Sequence, residues 1–146
     1  MPNRRLWLAL PLSAFTVFSA LSGAVSAQPA ASPDELLARC KQAYASRDVR
    51  AYRALVLLTR DIDGPAVEAE FKRVSQQPIR SAKRLPLSTY QANFDRAIQR
   101  GMKLPMQAEG WIEIEFEPVT SPGGVVEKST NVMIFGRKDG SYYLGS

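Results

Sequence analysis

The chain contains no histidine, and Cys40 is its only cysteine. The first absence removes Ser-His-Asp and Cys-His nucleophile pairs, imidazole metal ligands, and an imidazole proton shuttle working near neutral pH. The second removes any intrachain disulfide and any multi-cysteine metal centre. No basic motif with interleaved aromatics is present, so no nucleic-acid partner is expected. Internal repeats and low-complexity tracts are missing as well. What remains is a chain of 146 residues, 45% hydrophobic and 23% charged. That is the composition and length of one ordinary globular domain, with chain enough for a single core.

The long apolar run is confined to the N-terminus. Arg4 and Arg5 precede a nearly uncharged stretch from Leu6 to Leu21, which decays into Ser22, Gly23, Ala24, Val25, Ser26 and Ala27. A cationic start, an apolar core and small residues at −3 and −1 are the layout of a secretory signal, with cleavage between Ala27 and Gln28. The run is interrupted by Pro11 and is short of the ~20 apolar residues of a spanning helix. Residues 1–27 therefore read as a signal peptide, 28–33 as a flexible lead and 34–146 as a single α+β domain. The protein is expected to be exported, periplasmic or secreted, with no stable membrane span after cleavage. Part of its +5 net charge leaves with Arg4 and Arg5.

Past that segment the hydrophobic period is helical. Ser32-Pro33-Asp34-Glu35 is a capping box with proline at the first helical position. Leu36, Leu37, Cys40, Ala43 and Tyr44 follow as one buried stripe. Asp48 caps a second helix with an apolar face of Val49, Tyr52, Leu55 and Val56, extending to Leu57 and Leu58. Asp61 to Pro65 is a turn into a third helix, with Val67, Phe71 and Val74 inward and a Glu68–Lys72 pair outside. Residues 79–87 are ambiguous: an edge strand is one reading, though Pro86 forbids ladder bonding at its end. A second capping box over Ser88–Gln91 opens a helix whose stripe is Tyr90, Phe94, Ala97 and Ile98, ending at Gly101.

After Gly101 the period changes to two. Ile112, Ile114 and Phe116 face one way, while Trp111, Glu113, Glu115 and Glu117 face the other, as in a half-buried antiparallel strand. A second strand is expected over Val125–Gly136. Asp139-Gly140 is a tight-hairpin signal before a last strand at Tyr142-Tyr143-Leu144. Helices followed by a meander predict an α+β fold, the N-terminal helices packed on a curved, cone-like antiparallel sheet.

The paired helices around Tyr44–Val49, the strand Gly110-Trp111-Ile112-Glu113-Ile114 and the closing Lys138–Tyr143 resemble the nuclear-transport-factor-like (cystatin-like) α+β cone. The resemblance covers most of the chain after Gln28, with residues 79–101 supplying an additional helix. It implies helices over a curled sheet that surrounds a cone. Isomerases, hydratases and binding modules share that fold, so fold alone assigns no activity. The isomerases use an Asp base with Tyr and Asp oxyanion donors. Tyr44, Tyr52, Tyr142, Tyr143, Asp48 and Asp95 are of those types, but none matches the family's constellation.

Candidate chemistry is sparse. Asp61-x-Asp63-Gly64 lacks the further ligands of a calcium loop, since the twelfth position is Lys72. Glu113, Glu115 and Glu117 suit the wet side of a strand, paired across to Lys128, Arg137 or Lys138. Cys40 on an apolar stripe packs as a small hydrophobe. The strongest asymmetry is charge: from Lys72 to Lys103 eight basic residues are opposed by Asp95 alone. Arg80, Lys83, Arg84, Arg96 and Arg100 form the candidate surface for an anion or partner, unless the following glutamates neutralise them. The expected function is a small, non-catalytic binding or accessory protein. It would hold a small ligand, an envelope component or a protein, without a cofactor, and two copies would pair through the sheet. The alternative is a cofactor-independent isomerase or hydratase using Asp and Tyr in the cone. A cavity above ~300 Å³ is needed for either ligand role; an acid of raised pKa against apolar walls is needed for the second.

Overall fold

The computed structural model describes residues 28–59 and 63–145. The expected signal segment, with Ala27, lies outside the described residues, as do Asp61 and Ile62 of the expected turn.

Three helices come first: α1 (Pro33–Ser46), α2 (Val49–Leu55) and α3 (Gly64–Val74). The Ser32 hydroxyl accepts from the Glu35 N–H at 3.1 Å, and Glu35 accepts in return from the Ala31 N–H, one residue earlier than in the standard box. Arg47 in the left-handed region, at φ 54°, turns the chain out of α1. The Asp48 carboxylate caps α2 by accepting from the N–H groups of Arg50 and Ala51, each at 3.0 Å. The second helix is shorter than its apolar run: it stops at Leu55, and the next residues bridge alongside Leu144 instead. Outside α3, Glu70 pairs with Arg73 and Glu68 with Arg53, so the expected Glu68–Lys72 pair does not form.

The strands are β1 (Ile79–Pro86), β2 (Gln107–Phe116), β5 (Thr130–Lys138) and β6 (Ser141–Leu144), antiparallel in the order β1-β2-β5-β6. A small ribbon of β3 (Val119–Thr120) and β4 (Val126–Glu127) takes up the first part of the expected second strand, which is broken at Lys128-Ser129. Register shifts at Arg80 in β1 and Glu109 in β2 bend the sheet into a half-barrel, as bulges do. At the second of these the strands approach so closely that a Cβ on Gly136 would meet the Gln107 carbonyl. Asp139 (φ 51°) and Gly140 (φ 79°) make the tight hairpin that Asp-Gly predicts.

The first three helices lie on the concave face, over Ile112, Ile114, Phe116, Met133, Phe135 and Leu144. Tyr44, Tyr52 and Phe71 join that core as an aromatic cluster, Tyr52 stacked on Phe71 at 4.3 Å and Tyr44 edge-on at 4.9 Å. Offset and edge-on pairs of this kind add to simple area burial. Between β1 and β2 a 3₁₀ turn (Leu87–Tyr90) leads into α4 (Gln91–Gln99). This helix departs from the expected arrangement: it packs on the opposite sheet face, where Tyr90 and Phe94 meet Trp111 edge-on. Its N-cap is Tyr90, without a side-chain cap bond, so the expected second capping box is absent. Ile98, expected in the buried stripe, is 43% exposed: among the described residues none covers that side of α4.

Candidate functional site

The hydrophobic stripe of α3 is not fully used by the core. Phe71 is buried, but Val67 and Val74 on the same stripe are only half covered. Across from them, β6 pairs only with Phe135–Lys138, so the first half of β5 keeps an open edge. Beyond that edge stands α4. The space between α3, the β5 edge and α4 is a cavity of about 670 Å³. Its floor is Asn131, Val132, Met133 and Ile134, and Phe94 and Trp111 close the α4 side. The lining is mainly apolar and aromatic, with few polar groups, which is the make-up of small-molecule sites.

The polar groups at its base are hydroxyls and an amide. Asn131 Nδ2 donates to the Tyr44 hydroxyl at 2.9 Å, and the Tyr52 hydroxyl donates to the Met133 sulfur at 3.3 Å. Burial pushes the Tyr44 hydroxyl up to about 12 and that of Tyr52 higher still, so both stay protonated. Asp63 and Glu70 stand on the α3 rim, where the Arg73 hydrogen bond holds Glu70 below the ordinary carboxylate range.

The candidate basic surface is divided by the fold. Arg80 sits exposed at the β1 bulge. Lys83 bonds Glu113 at 2.9 Å and lies 4.0 Å from Glu115, while Arg84 reaches Asp34 at the start of α1, at 2.8 Å. Those two are thus occupied within the chain. Arg96 and Arg100 stand apart from them on α4, lining a shallow depression that shares Asn93, Ala97 and Met102 with the cavity. Among the described residues neither has an ion-pair partner. Gln28, beside the expected cleavage position, is exposed and its carbonyl accepts from Arg39.

The glutamate row is also not uniform. Glu115 and Glu117 face solvent to differing degrees, but Glu113 is only 9% exposed. Tyr90 donates to it at 2.7 Å, and that bond, with the one from Lys83, holds its carboxyl below the ordinary range. The expected partners of the row were Lys128, Arg137 and Lys138; Arg137 instead approaches Glu109. Cys40 is buried on α1, and desolvation pushes its thiol up to about 12, which suits packing and not nucleophilic chemistry. Among the described residues no group of three or more acidic or cysteine side chains is placed to hold a metal, and no helix is long and apolar enough to cross a membrane.

Sequence reasoning did not single out Asn131, Val132 or Trp111 as cavity residues. The available signal was the surplus of apolar positions on short elements: Val67 and Val74 on α3, Phe94 and Ala97 on α4.

Fold and cavity together define a curled antiparallel sheet with helices on both faces and an apolar cleft at its open edge. No protein-family model, curated protein or solved structure matches the chain.

Proposed function

We propose that this is an exported, non-catalytic binding protein of the nuclear-transport-factor-like kind, which holds a small apolar ligand between α3, α4 and the β5 edge. The observation that carries this reading is the 670 Å³ cavity, well above the ~300 Å³ floor for such sites, with aromatic walls and few polar groups. The ionisation of Glu70 supports binding over proton transfer at that residue. Proton abstraction or donation at neutral pH calls for a carboxyl pushed upward against apolar walls. Glu70 at the cavity rim is displaced the other way, downward, by the hydrogen bond from Arg73.

Trp111 offers the test, because it lines the cavity and is the only tryptophan after Trp7. In a Trp7→Phe background, titration with an uncharged apolar compound such as dodecanol is expected to shift Trp111 emission saturably. Ala97→Phe, which fills the space beside Phe94, is expected to abolish the response with little change in melting temperature. A linear, unsaturable response in the unsubstituted cavity would mean that the cleft binds nothing of this class.

A further inference from the structure

We infer that the ligand is a free amphipathic carboxylate, its apolar body in the cavity and its anionic head between Arg96 and Arg100. This rests on the binding reading above and names the ligand class for that same site.

The cavity and the arginine depression are continuous through Asn93, Ala97 and Met102. The apolar space therefore ends at two cations one helical turn apart on the same face of α4. Among the described residues Arg96 uses its donors only within its own helix, on Asn93 and the Ala92 carbonyl, and Arg100 has no side-chain hydrogen bond. Two like charges at that spacing repel, and among the described residues the adjacent Asp95 pairs with neither, accepting from Gln91 at 2.8 Å. Their place in and just past the last turn of α4 sets them at the negative end of the helix dipole, which favours the two cations but not an anion, so the attraction for an anionic head rests on the guanidinium charges themselves. A planar carboxylate matches guanidinium donors bidentately.

The opposite rim bears on the ligand's direction. Asp63 borders the cavity at the start of α3 and disfavours an anionic head there, while Glu70 beside it is paired with Arg73, so the head is drawn towards α4. Asp63 at that rim also opposes docking of the cleft on an anionic bilayer, which favours a free molecule over a lipid held in a membrane.

The experiment compares dodecanoate, dodecanol and dodecylammonium, below micelle-forming concentrations, by Trp111 emission in the Trp7→Phe protein. Dodecanoate is expected to bind about tenfold more tightly than dodecanol at low salt, the gain of a charge-assisted pair. The advantage should shrink as salt rises. Arg96→Gln with Arg100→Gln should erase the preference and leave dodecanol binding intact, and Lys at both positions should restore part of it. Equal affinity for dodecanoate and dodecanol in the unsubstituted pair of arginines overturns this inference while leaving the cavity reading standing. Absence of binding by all three overturns both. Association with vesicles of anionic lipid, without dodecanoate binding, overturns it in favour of a membrane-held lipid. The comparison of the three ligands is made on the intact arginines, so it decides the matter even if the double variant does not fold.

Discussion

Glu113 sits in a row of alternating glutamates that reads as a wet strand face, yet it is nearly covered. Its two oxygens are divided between partners: Oε1 takes Lys83 and Oε2 takes Tyr90. A buried charge is tolerated when it is paired and hydrogen-bonded, and costs most when one partner is removed. Glu113→Ala is therefore expected to lower stability by about 1–3 kcal/mol, the range for hydrogen bonds to charged groups, whereas Glu115→Ala stays within about 0.5 kcal/mol. Denaturant melts of the two variants check the ranking. The pH dependence follows from the sign of the shift. The folded carboxyl is held below its unfolded value, so its contribution is fully present above roughly pH 4.3, the unperturbed value for Glu, and is lost as pH falls through the depressed folded value. Glu113→Gln should accordingly flatten the acid limb of the stability profile below that pH.

At the scale of the element, α4 is the outlier. The first three helices each contribute buried side chains to the concave core, but α4 contributes none that is fully buried. It is held by the rings of Tyr90 and Phe94 against Trp111, and by the bond of Trp111 Nε1 to the Leu87 carbonyl at 3.0 Å. Segments with little buried apolar contact open locally before the whole domain unfolds. Amides of Gln91–Gln99 are thus expected to exchange with solvent through a lower-energy opening than those of α1. Phe94→Ala should accelerate exchange in that segment while leaving the protection of α1 unchanged, as read by hydrogen exchange with mass spectrometry. Equal protection across α1 and α4 would show that α4 unfolds only with the rest.

The whole molecule depends on a single concave core in which residues distant in sequence meet. Phe116 from β2 contacts Tyr44 from α1, with ring centroids 5.9 Å apart, and both join Phe71 of α3 in the same cluster. Truncating such a side chain loses its transfer energy and leaves a void beneath three helices. Phe116→Ala is expected to destabilise by about 3–5 kcal/mol, measured by urea unfolding at an unchanged slope. A smaller loss, near that of a surface change, would mean that the helices are held to the sheet elsewhere. The thiol of Cys40 lies in this core, so its rate of reaction with a thiol reagent in the same urea series reports global opening directly.

Local features were legible because neighbouring residues suffice to produce them. Ser32 and Asp48 cap their helices through groups two or three residues away, Asp139-Gly140 turns the hairpin by its own backbone preferences, and the alternation of Ile112, Ile114 and Phe116 selects the buried face of β2. The sequence alone thus determined the α+β order and most of the concave core, while the edge strand ending at Pro86 was one of the readings it left open. Three things waited on tertiary structure. One is the side of the sheet that α4 covers, because its stripe does not itself say which face of the sheet it meets. Another is the burial of Glu113, which depends on Tyr90 arriving from 23 residues away. The last is the cavity itself. A cleft is the space left where α3, α4 and the β5 edge fail to fill the gap between them, and no run of residues encodes a gap. Its existence follows from the curl of the sheet and the shortness of β6, which are settled only when all the elements pack together.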